Sequence, residues 1–157
     1  EMSKSGLFAH FQSRDNLQIA VLTHSAEVFR ERVIQPVRQQ GYATQQEKLL
    51  ALLQAWLAWN QSFAGRCMFL DAWTSAQEGE VQQAARELVR FWLDYLARQV
   101  VQGQARGEWR SDLDPWRAVY RLYGLYLGDQ VFHALALSED PARHFWPEVE
   151  DLLTSWR

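Results

Sequence analysis

The 157 residues hold a single cysteine, Cys67, which excludes an internal disulfide framework, fits a reducing compartment and supplies no CxxC pair for zinc. The four histidines, His10, His24, His133 and His144, form no metal-ligand pairs with one another. His144 follows Asp140 by one helical turn, but Asp140 reads better as a helix cap. There is no Gly-rich phosphate loop, no nucleophile elbow and no paired Glu-x-x-His of a di-iron bundle. No metal and no cofactor are therefore expected, and an enzyme is disfavoured. Positive charge is also short. The net charge of -3 gives no basic field over the chain, so nonspecific nucleic-acid binding by this stretch should be weak. No apolar run approaches the roughly 18 residues a membrane helix needs, and no signal peptide is visible. A cytoplasmic protein with no membrane partner is expected.

What is present is apolar and helical. Hydrophobic residues make up 48% of the chain and aromatics 13%, enough to exclude disorder and to build one substantial core. Every long segment carries helical periodicity and none alternates as a strand, which predicts an all-α fold. A helix is expected from Arg14 to Val33 or Ile34, with Leu17, Val21 and Val28 recurring along it and Pro36 and Gly41 breaking it. Thr44-Gln-Gln-Glu47 is a capping-box signature ahead of Leu49, Leu52, Leu53, Trp56, Asn60 and Phe63. A short helix is expected around Cys67 to Gln77 and a long one from about 80 to 103. Asp114-Pro115 and Asp140-Pro141 each pair a capping residue with a proline whose missing N–H costs nothing at a helix start.

The first residues carry the most specific pattern. Ser3 can cap a short helix with Leu7, Phe8 and Phe11 on one side, and Ser13 caps the helix that follows. Met-Ser-Lys-Ser-Gly-Leu-Phe-x-His-Phe-x-Ser-Arg-Asp-x-Leu closely resembles the end of the helix-turn-helix in the TetR family of bacterial transcriptional repressors. The resemblance implies a recognition helix from Ser3 to Phe11 and divides the chain into 1–13, the tail of a DNA-binding domain, and 14–157, a linker helix with a ligand-binding and dimerisation domain. The family's first two helices would precede Glu1. It also implies DNA contacts from Ser3, Lys4, Ser5 and Gly6 at the helix start and from Phe8, His10 and Arg14 beyond it. Lys4 is the expected base-edge or phosphate cation. Phe8 stands where the family usually has tyrosine, which removes a phenol-to-phosphate hydrogen bond, and Glu1 stands where it has glycine.

Eight tryptophans are many for this length, and the rings concentrate in the central helices. Trp56, Trp59, Phe63, Phe69, Trp73, Phe91, Trp92, Tyr95, Tyr123 and Tyr126, with polar Asn60 and Asp71 interrupting the same segments, are the expected lining of an effector pocket. Asp94 and His133 interrupt them too. The alternative for any single ring is plain core filling, and for either aspartate a solvated helix face. The helix from Trp116 to Leu137 is apolar nearly all round. One face, with Tyr120, Gly124, Leu127, Gly128 and Val131, is expected to join Val149, Leu153 and Trp156 of the last helix in a homodimer interface. The alternative is that the two glycines receive a neighbour within one chain. These readings converge on a ligand-responsive repressor that meets double-stranded operator DNA when complete and is released by a small apolar or aromatic effector. The competing reading is a helical carrier or enzyme with no DNA role.

Overall fold

The computed structural model describes residues 3–6, 13–62, 74, 78–140 and 142–157, and every regular element among them is helical. The chain is all-α. Ser3 Oγ accepts from Gly6 N at 3.1 Å over the short helical stretch 4–6. Ser13 then caps α1, Arg14–Phe29, by accepting from Asn16 N at 3.0 Å. Apart from Thr74, the expected short helix around Cys67 to Gln77 lies outside the described residues, as do Leu7, Phe8 and Phe11.

Pro36 does not break the linker helix as expected. A π-turn, Arg30–Ile34, follows α1 directly and leads into α2, Gln35–Gln39, so the chain stays helical past the proline. In a regular helix Pro36 would offer no N–H to the carbonyl one turn back and its ring would press on it. Widening the ladder just before the proline relieves that conflict, and Gln35 N–H reaches the Arg30 carbonyl instead. The buried stripe of this helix also differs from the expected one. Leu22, Phe29 and Val33 face the core, whereas Val21 is 48% exposed.

The capping box at Thr44 opens α3, Gln45–Gln61, with Glu47 N donating to Thr44 Oγ1 at 3.1 Å and Glu47 Oε2 accepting from Thr44 N at 3.3 Å. A second carboxylate reinforces that start from far along the chain. Glu108 accepts from Gln45 N at 2.8 Å, a bond across 63 positions. The long helix α4, Glu80–Ala105, packs on both the linker and α3. Asp114 caps α5, Pro115–Ala134, through Trp116 N and Arg117 N, and α6, Ala142–Thr154, packs on α5.

The α6 stripe is turned inward. Val149, Leu153 and Trp156 are at most 1% exposed within a single chain, so they are core residues and not the dimer contacts expected for them. An amphipathic helix buries its apolar stripe on the nearest available partner, and α5 is that partner. Trp156 is held besides by Trp109, edge-on at 5.1 Å, and by Arg110 N donating to its carbonyl at 2.8 Å. Gly103 makes room for this corner, because a Cβ there would overlap the Trp109 ring.

Candidate functional site

Helical spacing sets Phe29 on α1, Trp56 and Trp59 on α3, Trp92 and Tyr95 on α4, and Tyr123 and Tyr126 on α5 toward one another. Trp56 is the hub. It stacks on Tyr126 with centroids 3.7 Å apart, lies parallel to Tyr123 at 6.0 Å and meets Trp92 edge-on at 5.4 Å. Phe29 stands edge-on to Trp59 at 5.7 Å and to Trp92 at 5.0 Å, and Trp92 stacks on Tyr95 at 5.9 Å. Such pairs contribute about 0.5–1.5 kcal/mol each beyond the area they bury.

Two polar atoms in this cluster are buried without a partner. Asn60, only 2% exposed, donates through Nδ2 to the Tyr126 hydroxyl, and its Oδ1 has no hydrogen bond. Trp92 Nε1 is likewise unsatisfied. Orphaned buried groups cost about 1–3 kcal/mol each and call for an explanation in a native core.

Of the residues expected to line a pocket, Trp56, Trp59, Asn60, Trp92, Tyr95, Tyr123 and Tyr126 are brought together here. Phe91 is not among them. It is 42% exposed, with the Arg30 guanidinium 5.5 Å from its ring centre, because it stands about 100° around α4 from Trp92, at the edge of the cluster. Phe63, Phe69, Asp71 and Trp73 lie outside the described residues. Asp94 is a surface charge paired with Arg90 at 3.9 Å. Phe29 was not among the residues expected to line a pocket, and it joins the cluster from α1.

A cavity of about 250 Å³ opens beside Asn60 between α3, α5 and α6, with Gln54, Gln61, Asp129, Gln130 and His133 as its polar walls. An adjoining cavity of about 370 Å³ is bounded by Gly124, Gly128, Phe132, His144 and Glu148, and the two share Asp129 and Phe145. Burial pushes the Asp129 carboxyl above the usual carboxylate range, partly offset by the nearby His133. Among the described residues no group of His, Cys, Asp and Glu could hold a metal ion, and no helix is long and apolar enough to cross a membrane.

The outer face of α5 is apolar and open. Tyr120 is 81% exposed, Val131 52% and Trp116 48%, and Leu127 is half-buried. A Cβ added at Gly124 or Gly128 would meet nothing within 4 Å, so neither glycine is needed by a neighbour within the chain. At the other end, Lys4 and Ser5 are exposed on the 4–6 stretch and Arg14 is exposed at the start of α1. Phe8 and His10 lie outside the described residues.

Comparison with known protein families matches residues 46–149 to the tetracyclin repressor-like, C-terminal domain. Comparison with curated proteins finds no match.

Proposed function

Because this chain belongs to the TetR family of regulators, we propose that it is a homodimeric repressor released from its operator when a small planar apolar or aromatic compound enters the aromatic cluster. The observation that carries this reading is the position of Phe29. It belongs to the helix leading from the DNA-reading end, and it is wedged against Trp59 and Trp92 of the regulatory domain. A guest that takes the ring faces Phe29 now covers would displace it, and with it α1. A ligand shifts an equilibrium only by its affinity difference between the two states, and this contact supplies a difference.

The remaining parts follow from the same assignment. Ser3, Lys4, Ser5 and Gly6 enter the major groove, with Phe8, His10 and Arg14 along the backbone. Trp56, Trp59, Asn60, Trp92, Tyr95, Tyr123 and Tyr126 form the described part of the effector site, to which Phe63, Phe69, Asp71 and Trp73 are assigned from sequence. A second copy covers Tyr120, Gly124, Leu127, Gly128 and Val131, which would otherwise leave a large apolar helix face in water.

The test uses the full-length protein with its DNA-binding helices complete. A panel of planar aromatic and apolar compounds is titrated while tryptophan emission and retention of an operator fragment are followed together. Saturable quenching accompanied by loss of DNA is the expected result. Absence of saturable quenching across the panel makes the rings core filling and removes the effector assignment.

A further inference from the structure

A second cleft lies apart from the aromatic cluster and does not depend on the effector reading. The end of α2, the start of α3 and the end of α4 border an open groove of about 420 Å³, with Arg38, Lys48, Gln102 and Arg106 among its walls. Cations from three separate elements thus face one space. Countercharge is short. Glu108 lies 3.3 Å from Arg106 Nε but is also committed to Gln45 N at 2.8 Å and Gln46 N at 3.3 Å. Glu47 is turned toward Ala43 N and Thr44 N. Among the described residues neither Arg38 nor Lys48 has a carboxylate within ion-pair distance. The carbonyl end of α4 adds only about half a negative charge. Lys48 feels the imbalance: burial first, then Arg38 and Arg106, hold its ammonium below the usual lysine range.

We propose that this cleft binds a small multivalent anion, a phosphate or a polycarboxylate, gripped by Arg38, Lys48 and Arg106 with the Gln102 amide as a neutral donor. The anion supplies the charge the fold omits. The Arg38 fork beside the Lys48 ammonium suits a group with several oxygens better than a monovalent halide, while Arg106, which already gives Nε to Glu108 and Nη2 to the Ala43 carbonyl at 2.8 Å, adds chiefly its charge. A DNA backbone is the competing anion, and the geometry disfavours it. Arg38 is separated from Arg14 by about 36 Å of helix, and a concavity of this size takes a small molecule more readily than a convex duplex.

The test is calorimetric titration of the full-length protein with pyrophosphate and with citrate, at ionic strength held constant with chloride. Saturable binding at one anion per chain is expected, weakened at least tenfold in Lys48→Met and in Arg38→Gln and unchanged in Arg90→Gln. Lys48→Met should also raise the Tm of the unliganded protein, because it removes a repelled charge, so its loss of binding is not unfolding. Non-saturable heats matching chloride overturn the proposal, as does undiminished affinity in Lys48→Met. Duplex DNA binding that is lost in both variants while pyrophosphate fails to bind would give the patch to nucleic acid and overturn it as well.

Discussion

Phe29 meets Trp92 edge to face, with ring centroids 5.0 Å apart and planes at 81°, and this is where the linker helix touches the regulatory core most specifically. Phe29→Leu keeps most of the volume and removes the ring edge. Its stability cost should be about 1–3 kcal/mol by denaturant titration, the sum of two lost edge contacts. Operator binding should persist, whereas an effector found by the fluorescence screen should still bind and should release DNA less completely. Equal release in the variant and the parent would place the coupling elsewhere on the helix.

The inward turn of the α6 stripe separates two substitutions that sequence alone would treat alike. Tyr120→Arg puts charge on an open face, so sedimentation should show more monomer while the helical circular dichroism is kept. Leu153→Arg buries an unpaired charge in a single chain and should cost on the order of 3–5 kcal/mol, unfolding much of the protein. Gly128→Ala should be neutral to stabilising in the isolated chain, because helix interiors favour alanine by about 1 kcal/mol and nothing stands in its way. If Gly128→Ala lowered the Tm of the monomeric Tyr120→Arg background, α5 would have an intrachain neighbour at that point.

Asp129 should set a pH dependence of unusual sign. Burial raises its folded pKa above the ordinary 3.8, so between the two values the folded chain binds more protons than the unfolded one. Stability from this group therefore falls as pH rises through that window, and the penalty is complete above the folded pKa. Asp129→Asn should raise Tm at neutral pH, and the gain should fade below about pH 4. A gain that is constant with pH would assign the effect to packing and not to charge.

The helices were legible because their starts are local. Thr44 with Glu47 and Asp114 with Pro115 are devices spanning a few residues, and the structure uses both. The aromatic cluster was legible as a composition and only partly as a constellation. Helical phase decides which ring faces which, and Phe91 and Trp92, adjacent in sequence, stand about 100° apart around α4, the first 42% exposed and the second buried. The direction of the Val149, Leu153 and Trp156 stripe was not legible, since a core and a dimer interface ask for the same apolar spacing. Gln54, Gln61 and Gln130 carry no sequence pattern that sets them beside one cavity; only the packing of α3, α5 and α6 brings them together. The cap from Glu108 on Gln45 joins points too far apart for any local signal.

The π-turn at Arg30–Ile34 makes the linker a device that sets rotational phase. One residue more than a regular turn is accommodated there, and each residue of an α-helix advances the chain by about 100° about its axis. Whatever precedes the turn is thus clocked around the axis relative to whatever follows, by chain count and not by any side chain. Deleting a single residue from this stretch would turn α1, Phe29 included, by about 100° relative to the helices beyond it, and so undo the Phe29 contacts with Trp59 and Trp92 without changing any of the three rings.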